Sequence, residues 1–524
     1  MAHLRLPLKL SNVKAFPSFG GRTRPISTGA RPQQDLKYTS KKAPPFQSGQ
    51  PLFETRPFLM KRGELTPGIT ALEYYERRTK LATRLPAKSC AIVVGSQLKY
   101  ASGPVFYPFQ QNNDLFYLSG WNEPDSVMVL EKPTDNLDEV LFHLIVPPKD
   151  TFSEQWEGFR SGADGACEIF NADEATDNRQ LAPYLSKIIK RNKFIYFDNP
   201  SSKPAANNSA SFGSFFSLRQ NPSANDTVTD IIKYTGSGNN VRGLKRIVSD
   251  LRLIKSPAEV AVMRRAGQIS GRAYNQAYAK KIRNERTLQS FLEYKFISGG
   301  CEKSAYIPVV ATGSNALCIH YTRNDDVMFD DEMVLVDASG SLGGYCTDIS
   351  RTWPVSGKFT SAQRDLYEAV LNVQRKCIEL CKASSLYSMH DLHQRSTSFL
   401  KEELRNVGFG NLTSWDLAKI YPHYIGHNLG LDVHDVPENS RHQPIQAGQV
   451  ITIEPGIYIP DDANFPSHFR NMGIRIEDDI AVGVDTYTNL TVEAAKEIDD
   501  IESIAQNGVK THYDEDVVSP LLQK

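Results

Sequence analysis

Four acidic residues and one histidine, each set in a short apolar run, constrain this chain more than any other feature. Asp337 closes MVLVDASG, Asp348 stands in YCTDISRTWPV, His427 in HYIGHNLGLDVHD, Glu454 in QVITIEPGIYI and Glu477 in MGIRIEDDIAV. β-rich runs of this length, bounded by Gly, Asp and Pro, read as buried strands. A carboxylate taken into such a run is costly unless it is paired or bound to a cation. Four of them converging with one imidazole would repel one another, and two divalent cations supply the missing counter-charge. Hard oxygen ligands with a single imidazole suit Mn²⁺, Co²⁺ or Zn²⁺. Taken singly each residue is ordinary, since a buried Asp at a strand end is usually a turn former or an ion-pair partner. The ordered set of five is what points to a metal centre.

That set, in the order Asp, Asp, His, Glu, Glu, resembles the ligand set of the pita-bread metallopeptidases, and of their aminopeptidase P branch in particular. The resemblance is dense over the C-terminal half and looser before it. It implies an α+β protein in which a pita-bread (creatinase/aminopeptidase) catalytic domain follows a smaller α/β N-terminal domain. It implies that Asp348 and Glu477 bridge two ions, that Asp337 holds one and that His427 with Glu454 holds the other, with Mn²⁺ the family's expected metal. Accessory residues fall into place on the same basis: His320 in ALCIHYTRND, His434 in LDVHD, Tyr458 in EPGIYI and Arg475 in GIRIED.

The chemistry expected of such a site is hydrolytic release of one N-terminal residue, the cations activating water and orienting the free α-amine of the substrate. Glu454 is the candidate for carrying a proton to the departing amine, with a role as ligand only as its alternative. His320 and His434 are expected to donate hydrogen bonds where oxyanion charge develops. Arg475, two residues before Glu477 and on the same sheet face, is expected to pair with Asp337 or Tyr458, or to make a structural ion pair. His423 and His442 read as surface or supporting residues.

The remaining composition narrows the setting. Lys plus Arg and Asp plus Glu balance at 60 each, so no whole-chain field points to nucleic acid or an anionic membrane. No apolar run approaches the roughly 18 residues of a membrane span. The seven cysteines are odd in number and lack CxxC spacing, which fits a reducing compartment. Met1 to Gln34 holds Arg5, Lys9, Lys14, Arg22, Arg24 and Arg31 without an acidic residue, and Leu4, Leu6, Leu8, Leu10 and Val13 are interleaved with them. That composition reads as a mitochondrial presequence, leading to the matrix; an additional nuclear location is compatible with it.

Along the chain, 1–45 reads as presequence and connector, 50–235 as the N-terminal domain and 236–256 as a connecting helix. The catalytic domain is read over 257–500 and a peripheral tail over 501–524. Ser, Asn and Ala bias at 200–227 reads as an exposed insertion loop. Capping boxes are expected at Thr70–Glu73 and Ser256–Glu259, and helix starts at Thr360 and Ser388. The Gly-rich SGSLGGY is expected to form a hairpin bringing Asp337 towards Asp348. YIPVVATGSNALCIHY reads as a strand delivering His320. Two specificities compete within the resemblance. One is intermediate cleavage, trimming one residue from presequence-processed mitochondrial proteins. The other is Xaa-Pro aminopeptidase action, with prolidase and a non-catalytic binding module further behind. The expected partners are peptide or protein N-termini as substrate and a second copy in a homodimer.

Overall fold

Alternation along the first long strand shows how the N-terminal half is built. The computed structural model describes residues 47–198, 224–235 and 240–509, all within the contact unit that runs from Pro44 to Lys524. The expected presequence and most of the stretch at 200–227 lie outside the described residues. Helix α1 (Ala71–Arg84) is followed by β1 (Ser89–Val94), α2 (Asn113–Ser119), β2 (Val127–Lys132), β3 (Leu141–Val146), β4 (Glu174–Asp177), α3 (Leu181–Arg191) and β5 (Phe194–Tyr196). Helix α4 (Ala224–Tyr234), strand β6 (Val241–Arg242) and helix α5 (Lys245–Leu253) complete this half. The six strands lie in the order β6-β5-β1-β2-β3-β4. On β1, Cys90, Ile92 and Val94 join the core under α3 and α4, whereas Ala91 and Val93 join the core under α1 and α2. The period of two thus buries both faces.

Three expectations change here. Thr70 caps α1 by accepting from the Glu73 N–H at 3.2 Å, but Glu73 does not return the bond. Its carboxylate is taken by Arg77 at 2.6 Å and by the Ser256 hydroxyl at 2.7 Å. The connecting helix starts later than expected, because Val241 and Arg242 pair in parallel with Ile195 and Tyr196. The Asp198 carboxylate then accepts the Leu244 N–H at 3.1 Å and turns the chain into α5. Residues 224–227, expected in a loop, form the first turn of α4.

The second half opens with α6 (Pro257–Tyr278), whose capping box between Ser256 and Glu259 is complete. Next come α7 (Glu285–Ser298), β7 (Val309–Thr312), β8 (Met333–Asp337) and β9 (Ser350–Pro354), the three strands pairing antiparallel in that order. Between β8 and β9 the expected hairpin is present. Leu342 faces Tyr345 across Gly343 and Gly344, whose φ angles of +57° and +81° are those of a primed turn that favours glycine at both central positions. Helices α8 (Ser361–Ile378) and α9 (Met389–Asn406) both start with complete capping boxes. Strands β10 (Val450–Ile453), β11 (Gly456–Ile459), β12 (Met472–Arg475), β13 (Asp478–Val482) and β14 (Tyr487–Asn489) then pair as β10-β13-β14 and β11-β12. The long helices share one core with these strands, including Tyr274, Phe296, Val336, Val370, Ile451 and Ile474. The chain past 500 was expected to be peripheral, yet α10 (Ile498–Asn507) buries Ile498 and Ile501 in that core. No helix among the described residues is long and apolar enough to cross a membrane.

Candidate metal centre

Asp337 is the one predicted ligand inside a strand: it ends β8 and faces Ser350 across the ladder. The others sit where strands stop, which frees their side chains from the pleat. Asp348 precedes β9, Glu454 follows β10 and Glu477 lies between β12 and β13. His427, expected in a strand, lies in irregular backbone joined to the sheet by one bridge, Asn428 to Ile451. The close approach there requires Gly426, since a Cβ at that position would stand 1.9 Å from the Thr452 carbonyl.

Ligand atoms of Asp348, His427 and Glu477 lie within 4.8 Å of one another. His427 Nε2 is 3.6 Å from Asp348 Oδ2 and 3.6 Å from Glu454 Oε1. Asp337 is held beside them by Arg475, whose Nη2 donates to Oδ2 at 2.7 Å. Burial, reinforced by the neighbouring carboxylates, pushes Asp348 and Glu477 well above the ordinary carboxylate range. Burial and then Glu477 push Glu454 up to about 8, against the pull of His427 and Arg475.

Two features show that these residues fit divalent cations. His427 Nδ1 donates to the Asn428 carbonyl at 3.0 Å, which turns Nε2 towards the Asp348 and Glu454 carboxylates, the orientation of a metal-binding imidazole. In addition, Asp337 Oδ1 and Glu477 Oε1 are buried without a hydrogen-bond partner, an arrangement that costs free energy unless a ligand completes it.

The accessory residues divide. Arg475, fully buried, donates from Nη1 to the Tyr458 hydroxyl at 2.7 Å and from Nε to Ser350 Oγ at 2.8 Å, so both expected pairings form at once. Ser350 Oγ passes the chain on, donating to Glu477 Oε2 at 2.7 Å. His434 packs edge-on against His427, ring centres 4.4 Å apart. Desolvation, then His427 and His320, lower its pKa. His320 is exposed and lies in a turn, not in a strand: β7 stops at Thr312 and a short 3₁₀ helix intervenes. The fully buried Glu285 carboxylate shapes that segment by accepting from Thr312 N–H, the Tyr321 hydroxyl and Asp326 N–H, each at 2.9 Å.

Three residues at the site were not singled out as part of it by the sequence. Tyr306 donates to Asp348 Oδ1 at 2.7 Å. Asp479, fully buried, accepts the Asp348 N–H at 3.1 Å. His423, read as surface or supporting, meets the Tyr458 hydroxyl through Nε2 at 2.9 Å, while its Nδ1 donates to the Tyr424 carbonyl at 2.8 Å. Its pKa falls to about 4, chiefly through burial and then Arg475, so a neutral ring accepts the tyrosine proton. His442 lies against His390, ring centres 4.4 Å apart and tilted by 42°.

Residues 261–483 match the model for metallopeptidase family M24, and 74–196 match the aminopeptidase P N-terminal domain. The chain is 64% identical to intermediate cleaving peptidase 55 of Saccharomyces cerevisiae, over 99% of this chain and all of that protein. It is 36% identical to human Xaa-Pro aminopeptidase 3, over 87% of this chain and 90% of that one. The crystal structure of Icp55 from Saccharomyces cerevisiae lacking its N-terminal 58 residues superposes with a TM-score of 0.77 at 63% identity, covering 85% of this chain and 100% of that one.

Proposed function

Because this chain belongs to metallopeptidase family M24, we propose that Asp337, Asp348, His427, Glu454 and Glu477 hold two divalent cations, Mn²⁺ foremost, with Co²⁺ or Zn²⁺ as substitutes. The chain is an aminopeptidase, a hydrolase that releases one N-terminal residue. The observation that carries the site assignment is the convergence of His427 Nε2 with the Asp348, Glu454 and Glu477 carboxylates, beside the buried, unpartnered oxygens of Asp337 and Glu477. Cations bound there supply an activated water and polarise the scissile carbonyl.

The protein's own residues do the rest. Asp337 is set in place by Arg475, and Arg475 also holds the Tyr458 hydroxyl at the edge of the site. His434 and His320 donate to the carbonyl oxygen as charge develops on it; removing one such donor costs about 2.7–4 kcal/mol of transition-state stabilisation. Glu454 takes a proton from the attacking water on its side-chain oxygen and returns it to the departing amine.

For the substrate we propose proteins whose presequence has been removed in the mitochondrial matrix, with a nuclear pool as a second address and a homodimer as the working assembly. The full-length likeness to an intermediate cleaving peptidase supports this reading, and the likeness to Xaa-Pro aminopeptidase 3 favours the runner-up. The working domain partition is kept with β6 assigned to the N-terminal domain and α10 to the catalytic one; the family matches at 74–196 and 261–483 fall inside those two domains. A peptide panel separates the specificities. Release of an N-terminal Tyr or Leu ahead of a residue other than proline is expected, whereas turnover confined to Xaa-Pro peptides would reverse the ranking and cleavage of dipeptides alone would mark a prolidase.

A further inference from the structure

The turn that carries His434 is gripped from the N-terminal domain. Asp435, the next residue, is buried, and its two carboxylate oxygens are each met by a cation from the segment joining the domains. Lys255 Nζ stands 2.9 Å from Oδ2 and Arg252 Nη2 stands 2.6 Å from Oδ1. Arg252 is itself held in a fork of acids, with Asp432 on the same turn at 2.6 Å and Asp114 on α2 at 2.7 Å. The neighbour of Asp114 on α2 acts on the turn directly: Asn113 Nδ2 donates to the Leu431 carbonyl at 3.0 Å and to Asp432 Oδ1 at 2.6 Å. The turn is also strained. Val436 is at φ +43°, a region that a β-branched side chain leaves unless its surroundings hold it there.

We propose that Asn113, Asp114 and Arg252 are positioning residues for His434, so that α2 sets the geometry of a donor to the scissile carbonyl without touching substrate. The inference rests on the reading of His434 as that donor. A strained backbone next to the donor would relax if its anchor weakened, and the ring packed on His427 would swing with it. Asp435 and Lys255 are too deeply buried to alter cleanly. Asp114 and Asn113 are half-buried, and the thermal midpoint shows whether their variants keep the fold.

The experiment measures kcat and KM on one peptide, with thermal midpoint and bound metal per chain, for the Asn113→Ala/Asp114→Asn pair, for Asp114→Glu and for Arg252→Lys. Each is made in the parent chain and in a His434→Ala background. In the parent background the pair should lower kcat about tenfold, the size of effect that loss of outer support produces, with KM within about twofold and metal content unchanged. Asp114→Glu, which keeps the charge, should recover most of that loss. In the His434→Ala background the same pair should change kcat by less than about twofold, because residues acting through one group are not additive. Unchanged kcat in the folded, metal-loaded pair would overturn the proposal, as would an equal tenfold loss in both backgrounds. A His434→Ala enzyme with parental kcat would instead sink the donor reading itself, and the proposal with it, while leaving the aminopeptidase activity in view.

Discussion

Arg475 is where the site's charges are reconciled. Its guanidinium is fully buried and makes three directed bonds, to Asp337, Tyr458 and Ser350, a fork that an ammonium group does not reproduce. Arg475→Lys keeps the charge but leaves at least one of these partners unmet. The expected cost is about 2 kcal/mol in urea unfolding, with reduced metal affinity because Asp337 is no longer fixed. Parental stability and metal affinity in that variant would show that the fork is dispensable. The five proposed ligands were legible only as an ordered set, since a buried acid at a strand end is by itself usually a turn former or an ion-pair partner. Tyr306 and Asp479 were not, because what makes them part of the site is proximity to Asp348 across 42 and 131 positions of sequence. His423 was hidden for the same reason, its partner Tyr458 lying 35 residues away.

Elements read from the sequence hold wherever their determinants are local. The capping boxes at Ser256, Thr360 and Ser388 and the Gly343–Gly344 turn need only neighbouring residues, and all are present. Expectations fail where a distant partner decides: Glu73 goes to Ser256, Val241 pairs with Ile195, and Ile501 buries its side chain in the core of the long helices. A long-range device of this kind joins β2 to the end of α3. The Glu131 carboxylate accepts from Arg191 and from Asn192 Nδ2 at 2.6 Å, and lies 3.3 Å from His143 Nε2. Burial alone would raise its pKa, but the close His143 ring and the hydrogen bonds from Arg191 and Asn192 outweigh it and hold it at about 2. A carboxyl depressed in the folded state stabilises above its unfolded pKa and loses that contribution as pH falls through the folded one. Stability should therefore drop between about pH 4.5 and pH 2, and Glu131→Gln, already without that term, should show a flatter acid limb in chemical unfolding. An unchanged acid limb would remove Glu131 from the account.

At the scale of the whole molecule, the two halves share one core. Tyr74 and Leu81 of α1 pack in the same cluster as Val262, Met263, Tyr345 and Leu429, and Arg77 donates to the Tyr345 hydroxyl at 3.1 Å while that hydroxyl donates to Glu259 at 2.8 Å. The N-terminal domain is thus part of the scaffold that aims the acids inward, and the acids make that scaffold expensive without counter-ions. In the proposed site the converging carboxylates are built around divalent cations. Calorimetric titration of Mn²⁺ into chelator-stripped protein, followed by thermal unfolding and peptide turnover on the same samples, tests it most directly. Two ions per chain, a stabilisation of about 2.7 kcal/mol at a free ion concentration 100 times Kd and recovery of turnover are predicted, all three lost in Asp348→Asn. Stripped protein that binds no ion, and is as stable and active as the untreated enzyme, would contradict the account.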